Sequence, residues 1–205
     1  MDGNYNELID NFTDSMHPHF VHKGVLYDDS KRQPLNFDVH RLISKEGNEV
    51  IGLEATSYNE KIDMGNFIFN MISPKENVTH HERYFVPIIH QVEYSIANIY
   101  IFVTFILTPE NENRTRVFQV YSLKSKCPKW ITGPIIKRVL NKLLVQDKYM
   151  LELQADNIRN IGGRHFYYTK IDMLSFHTKI FLHHLELGNS LEDIKYQDKQ
   201  YDVLI

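Results

Sequence analysis

Between residues 37 and 123 the chain is written largely in β-branched and aromatic runs broken by turn signals. This pattern constrains the fold more than any other feature. FDVHRLIS (37–44) and NEVIGLEAT (48–56) flank KEGN, a hairpin turn signal. NFIFNMIS (66–73), ERYFVPIIHQVEYS (82–95), NIYIFVTFILT (98–108) and RTRVFQVYSL (114–123) follow, the last two joined by PENEN. About six antiparallel strands are expected, enough for one broad sheet with a covered face.

Helical patterns bracket this region. Residues 4–13 carry Leu8, Ile9 and Phe12 at helical spacing, and Pro18 disfavours helix at His17, so this helix should end or kink near residues 15–17. Gly24, Asp28, Asp29, Ser30 and Pro34 mark a loop. After Pro128 a long helix is expected over 133–163, with Pro134 near its start and Gly162–Gly163 stopping it. A second follows over 172–188. The charged tail 189–205 is expected to be peripheral. The order defines an α+β chain with one domain over 1–205 and its core at 5–188, in which a curved sheet of about six or seven strands grips a long C-terminal helix.

Composition removes several classes of function. The net charge is −3, with no Lys/Arg block to meet a phosphate backbone, so nucleic acid is not an expected partner. The one cysteine, Cys127, excludes an internal disulfide, a thiolate zinc site and an iron–sulfur cluster held by this chain. The N-terminus lacks a signal-peptide pattern, and the longest apolar run, 96–107, is too short to span a bilayer. A cytoplasmic protein is expected.

Two local oddities remain. On the long helix the apolar stripe runs through Ile136, Val139/Leu140, Leu143/Leu144 and Met150/Leu151, and position 147 on that stripe is Asp147. A carboxylate facing a core is costly unless paired or metal-bound. It could also sit at the stripe's edge and reach solvent, or pair with an arginine such as Arg116. The second oddity is NFTDSMHPHFVH (11–22), with His17, His19 and His22 beside Asp14. Such a cluster is either a metal site or a polar loop. Two imidazoles and a distant carboxylate together would make a 2-His-1-carboxylate set, typical of non-haem Fe(II). The pairs His80–His81 and His183–His184 point to opposite sides of their elements and are expected on solvated faces.

The run Asn11-x-x-Asp14-x-x-His17-x-x-x-x-His22 resembles the mononuclear iron motif of Rieske non-haem iron oxygenase alpha subunits. Gln146-Asp147 with Gln154 resembles that family's third-ligand helix, and Arg114–Gln119 resembles a strand of the vanillate demethylase and pheophorbide oxygenase branch. The resemblance implies a helix-grip (START-like) fold with mononuclear Fe(II) on His17, His22 and Asp147. Asp14 would be the acid passing electrons toward His17, and Asn11 would stand near the iron. It implies hydroxylation, demethylation or desaturation of a small apolar, ring-containing substrate with O₂. A homotrimer is the family's usual assembly. Cys127 alone cannot supply the two cysteines of a [2Fe–2S] cluster, so electrons are expected from a separate Rieske or ferredoxin partner. The alternatives are a helix-grip binding module without turnover and a truncated relic of a full-length oxygenase. Candidate pocket residues are Phe67, Phe69, Tyr100, Phe102, Phe118 and Tyr121, whose inward parity the sequence leaves open.

Overall fold

A computed structural model describes residues 1, 3–22, 25, 34–47, 49–60, 78–96, 99–126, 128–163 and 167–204. Of the expected loop, Gly24, Asp28, Asp29 and Ser30 lie outside the described residues, as do the strand 66–73 with Phe67 and Phe69 and Cys127, whereas Pro34 begins a strand.

The chain opens with α1 (Tyr5–Thr13). Asn4 caps it, accepting from the Asn6 amide at 2.9 Å, while Glu7 reaches back to the Asn4 amide at 2.9 Å. Leu8, Ile9 and Phe12 are buried, as their spacing requires. The helix ends earlier than expected, at an extended Asp14, and α2 (His17–Val21) starts afresh. Pro18 lies in the first turn of α2, where a missing N–H costs nothing, so it begins a helix rather than ending one.

Seven strands form one antiparallel sheet in the order β6-β5-β4-β3-β2-β1-β7. They are β1 (Pro34–Ile43), β2 (Val50–Glu60), β3 (Val78–Phe85), β4 (Ile89–Ile96), β5 (Ile99–Asn111), β6 (Arg114–Lys124) and β7 (Lys199–Leu204). The single run expected at 82–95 is two strands, because the chain turns at Val86–Ile88 and Pro87 has no N–H for a ladder. At Gly52 a Cβ would fall 2.0 Å from the Tyr84 carbonyl oxygen, so β2 and β3 approach there only because the side chain is hydrogen.

The tail forms a short 3₁₀ turn (Leu191–Asp193) and then β7, the edge strand of the sheet, which pairs antiparallel with β1 from Pro34↔Leu204 to Val39↔Lys199 and leaves most of the tail exposed. Leu191 is buried, and Tyr201 and Val203 pack against the same cluster.

The long helix α3 runs from Lys129 to Ile161, one turn earlier than its Pro134 suggests, and stops at Gly162 with φ 79°. Its buried line is Thr132, Ile136, Leu140, Asp147, Leu151 and Ala155. Together with α1 it covers Val103, Phe105 and Leu107 on the inner face of β5. The last helix, α4 (Met173–Glu186), seats Met173, Leu174 and Phe181 on a second cluster with Leu35, Phe37, Val39 and Leu53. No helix among the described residues is long and apolar enough to cross a membrane.

Candidate metal centre

Three elements converge. His17 opens α2, His22 caps its end, and Asp147 projects from the buried line of α3. Asp147 is 4% exposed. Its Oδ1 lies 3.2 Å from His22 Nε2 and 3.5 Å from His17 Nε2. The two imidazole rings meet edge to face at 5.2 Å. Among the described residues these three side chains form the one group with metal-ligand chemistry, their ligand atoms all within 4.8 Å of one another.

The other ring nitrogens decide what this cluster can hold. His17 Nδ1 donates to the Asp14 backbone oxygen at 2.6 Å, and His22 Nδ1 donates to Gln146 Oε1 at 3.2 Å. With both protons used there, neutral rings turn Nε2 lone pairs toward Asp147, whose buried Oδ1 has no hydrogen-bond donor. Three electron-rich atoms facing one another require a cation between them, either a metal ion or a proton on one ring. Burial acts to raise the Asp147 carboxyl, but the facing histidines outweigh it and hold it at about 2. Burial likewise acts to lower His17, and the Asp147 carboxylate outweighs it, raising the imidazole. The donor set and the Nδ1 anchors fit a first-row divalent metal.

The readings that made Asp147 purely structural do not hold. It does not reach solvent, and Arg116, exposed on β6, pairs instead with Glu110. Asp14 Oδ1 accepts from the Met16 amide at 2.9 Å, and burial pushes its carboxyl up. Asn11 Nδ2 is buried and has no hydrogen-bond partner among the described residues.

A cavity of about 70 Å³ adjoins the cluster, between α3 and the inner sheet face. Its aromatic walls are Phe12, Tyr94 and Phe105 rather than the expected candidates. Register puts Tyr100, Phe102 and Phe118 on the outer parity of β5 and β6; Tyr121 shares the inner parity opposite Val103 but is solvent-exposed. A larger groove of about 300 Å³ between β6 and α3 holds none of the cluster residues.

Other histidines were misjudged in sequence. His80 is 2% exposed, between Glu60 at 3.2 Å and Glu82 at 3.3 Å, rather than on a solvated face. Its parity with Val78 and Tyr84 was the available signal. His81 faces the other way and pairs with Glu54 at 3.2 Å. His183 is exposed as expected, whereas His184 is half-buried. His19 belongs to α2 and stands 3.4 Å from Glu60.

A seven-stranded antiparallel sheet packed against helices in this order is the fold of Rieske oxygenase catalytic domains. The chain belongs to the family described as the vanillate O-demethylase oxygenase C-terminal domain, which it matches over residues 1–185. Among solved structures it is similar to the NdmA QL mutant of Pseudomonas putida CBB5 with theobromine, at 15% identity and a TM-score of 0.62. The same mutant with caffeine gives 15% and 0.60, and NdmB from that organism gives 17% and 0.53. Each match covers 91% of this chain and 48% of the other, so the chain spans about half the length of these relatives. At such identities the likeness shows the fold alone. No curated protein matches the chain.

Proposed function

We propose that residues 1–205 act as one catalytic domain of a mononuclear non-haem Fe(II) oxygenase. It hydroxylates, demethylates or desaturates a small apolar, ring-containing substrate with O₂. His17, His22 and Asp147 hold the iron. The observation that carries this reading is the buried Asp147 Oδ1, which has no donor and faces two imidazole Nε2 atoms whose Nδ1 protons are engaged elsewhere. Bound iron supplies the binding and reduction of dioxygen.

The chain's own residues provide the rest. The Asp14 carbonyl and Gln146 fix the two rings. Leu140, Leu143, Leu144 and Phe105 exclude water beside the cluster. Electrons come from a Rieske or ferredoxin donor outside these residues, passed toward His17 through Asp14, with Asn11 close by. A cytoplasmic location and a homotrimer complete the proposal.

A second reading rests on the single cysteine, which leaves these residues without a [2Fe–2S] cluster of their own. Lacking a donor, the domain is a helix-grip binding module or the relic of an oxygenase. The readings separate in one experiment: Fe(II)-loaded protein is mixed with a chemically reduced Rieske ferredoxin and a small ring compound. Oxygen uptake that depends on all three, and is lost in His22→Ala, supports the oxygenase. No uptake by iron-loaded protein supports the binding module.

A further inference from the structure

His90 has no place in the iron cluster, yet it is 1% exposed and neither ring nitrogen has a hydrogen-bond partner among the described residues. A buried polar group in that state is rare and costly, and calls for a partner supplied from outside the fold. His90 lies on β4 opposite Tyr84 and lines the same cavity as His17, His22 and Asp147. Phe12 and Phe105, each 6.0 Å away ring to ring, give it apolar neighbours.

Glu82, a carboxylate on the cavity wall, is otherwise engaged. Its two oxygens meet His80 Nε2 at 3.3 Å and the Ser15 hydroxyl. Burial acts to raise Glu82, but His80 outweighs it and holds the carboxyl below its ordinary value, so its negative charge stays beside the cavity. No lysine or arginine among the described residues lines that cavity. Burial also holds the His90 imidazole down at about 4, leaving it neutral at pH 7 with one donor and one acceptor nitrogen.

We propose that His90 selects and orients the substrate, a small ring compound with a hydroxyl, carbonyl or amide that pairs with the imidazole. This rests on the oxygenase reading only in taking the cavity beside the metal cluster as the substrate site. Binding alone tests it.

Phenol and toluene serve as probes, titrated by calorimetry into anaerobic Fe(II)-loaded protein. Phenol is expected to bind about tenfold or more tighter than toluene. His90→Phe is expected to bring the phenol-to-toluene ratio near one while iron loading and thermal midpoint are retained. His90→Gln, which keeps a donor and an acceptor, retains most of the preference. An unchanged ratio in His90→Phe, or no binding of either probe to iron-loaded wild type, overturns the proposal. Failure of wild type to load iron instead counts against the oxygenase reading, and the ratio is then read on metal-free protein.

Discussion

His22 Nε2 lies 3.2 Å from Asp147 Oδ1, and the same ring's Nδ1 is 3.2 Å from the side chain of Gln146, the residue just before Asp147. One turn of α3 thus supplies both the carboxylate that faces the imidazole and the amide that fixes the ring's tautomer. Gln146→Leu removes the anchor and leaves every proposed ligand in place. Fe(II) affinity is expected to fall about 10- to 100-fold in a competition titration with a chelator, with helix content unchanged. Unaltered affinity would mean the Gln146 contact does not orient the ligand.

His80 should shape stability on the alkaline side. Burial acts to lower its pKa, but Glu60 and Glu82 outweigh it and raise the imidazole to about 10, above its unfolded value near 6.5. The folded state therefore holds the proton more tightly. That stabilisation is complete below about pH 6.5 and is lost as pH rises toward 10. Urea unfolding at pH 6.5 and 9.5 is expected to give a lower midpoint at the higher pH. His80→Leu strands two buried carboxylates and is expected to cost about 3–5 kcal/mol at neutral pH.

His177 acts in the opposite window. It is buried in α4, with Nε2 2.7 Å from the Tyr201 hydroxyl of β7. Burial, and then Lys199, hold it down at about 4, below its unfolded value. Folding therefore favours the neutral ring, and its contribution is intact above about pH 6.5 and lost as pH falls toward 4. Hydrogen exchange of β7 amides is expected to accelerate over that acid range. His177→Phe should remove the dependence; an identical acid profile in that variant would exclude His177 as its source.

The tail is expected to be part of the folded unit. Leu191 is buried beneath the second core cluster, so Leu191→Ala should cost about 2–4 kcal/mol in chemical denaturation. A cost near zero would mean that Leu191 does not tie the tail to that cluster.

The tail also illustrates where sequence reading stops. KQYDVL reads as charged and polar because an edge strand buries only alternate residues on one side, here Tyr201 and Val203. Hydropathy alone cannot signal that. Asp147 was legible because a 3.6-residue period runs through many turns of α3, so one carboxylate on the apolar line stands out. The histidine cluster at residues 11–22 became interpretable only beside it. His80 and Glu82 were missed by reading His80–His81 as an adjacent pair instead of following β3 in steps of two from Val78 to Tyr84. Pocket parity stayed open for the same reason: a shift of one residue exchanges the faces, and only packing against α3 decides it.

On the proposed function, His17, His22 and Asp147 hold one iron. Anaerobic equilibrium dialysis against Fe(II) tests it most directly, with the exposed His183→Ala as control. Wild type and His183→Ala are expected to retain one Fe(II) per chain, while His22→Ala and Asp147→Asn retain none and stay folded. No saturable binding by wild type, or full binding by Asp147→Asn, would contradict the claim.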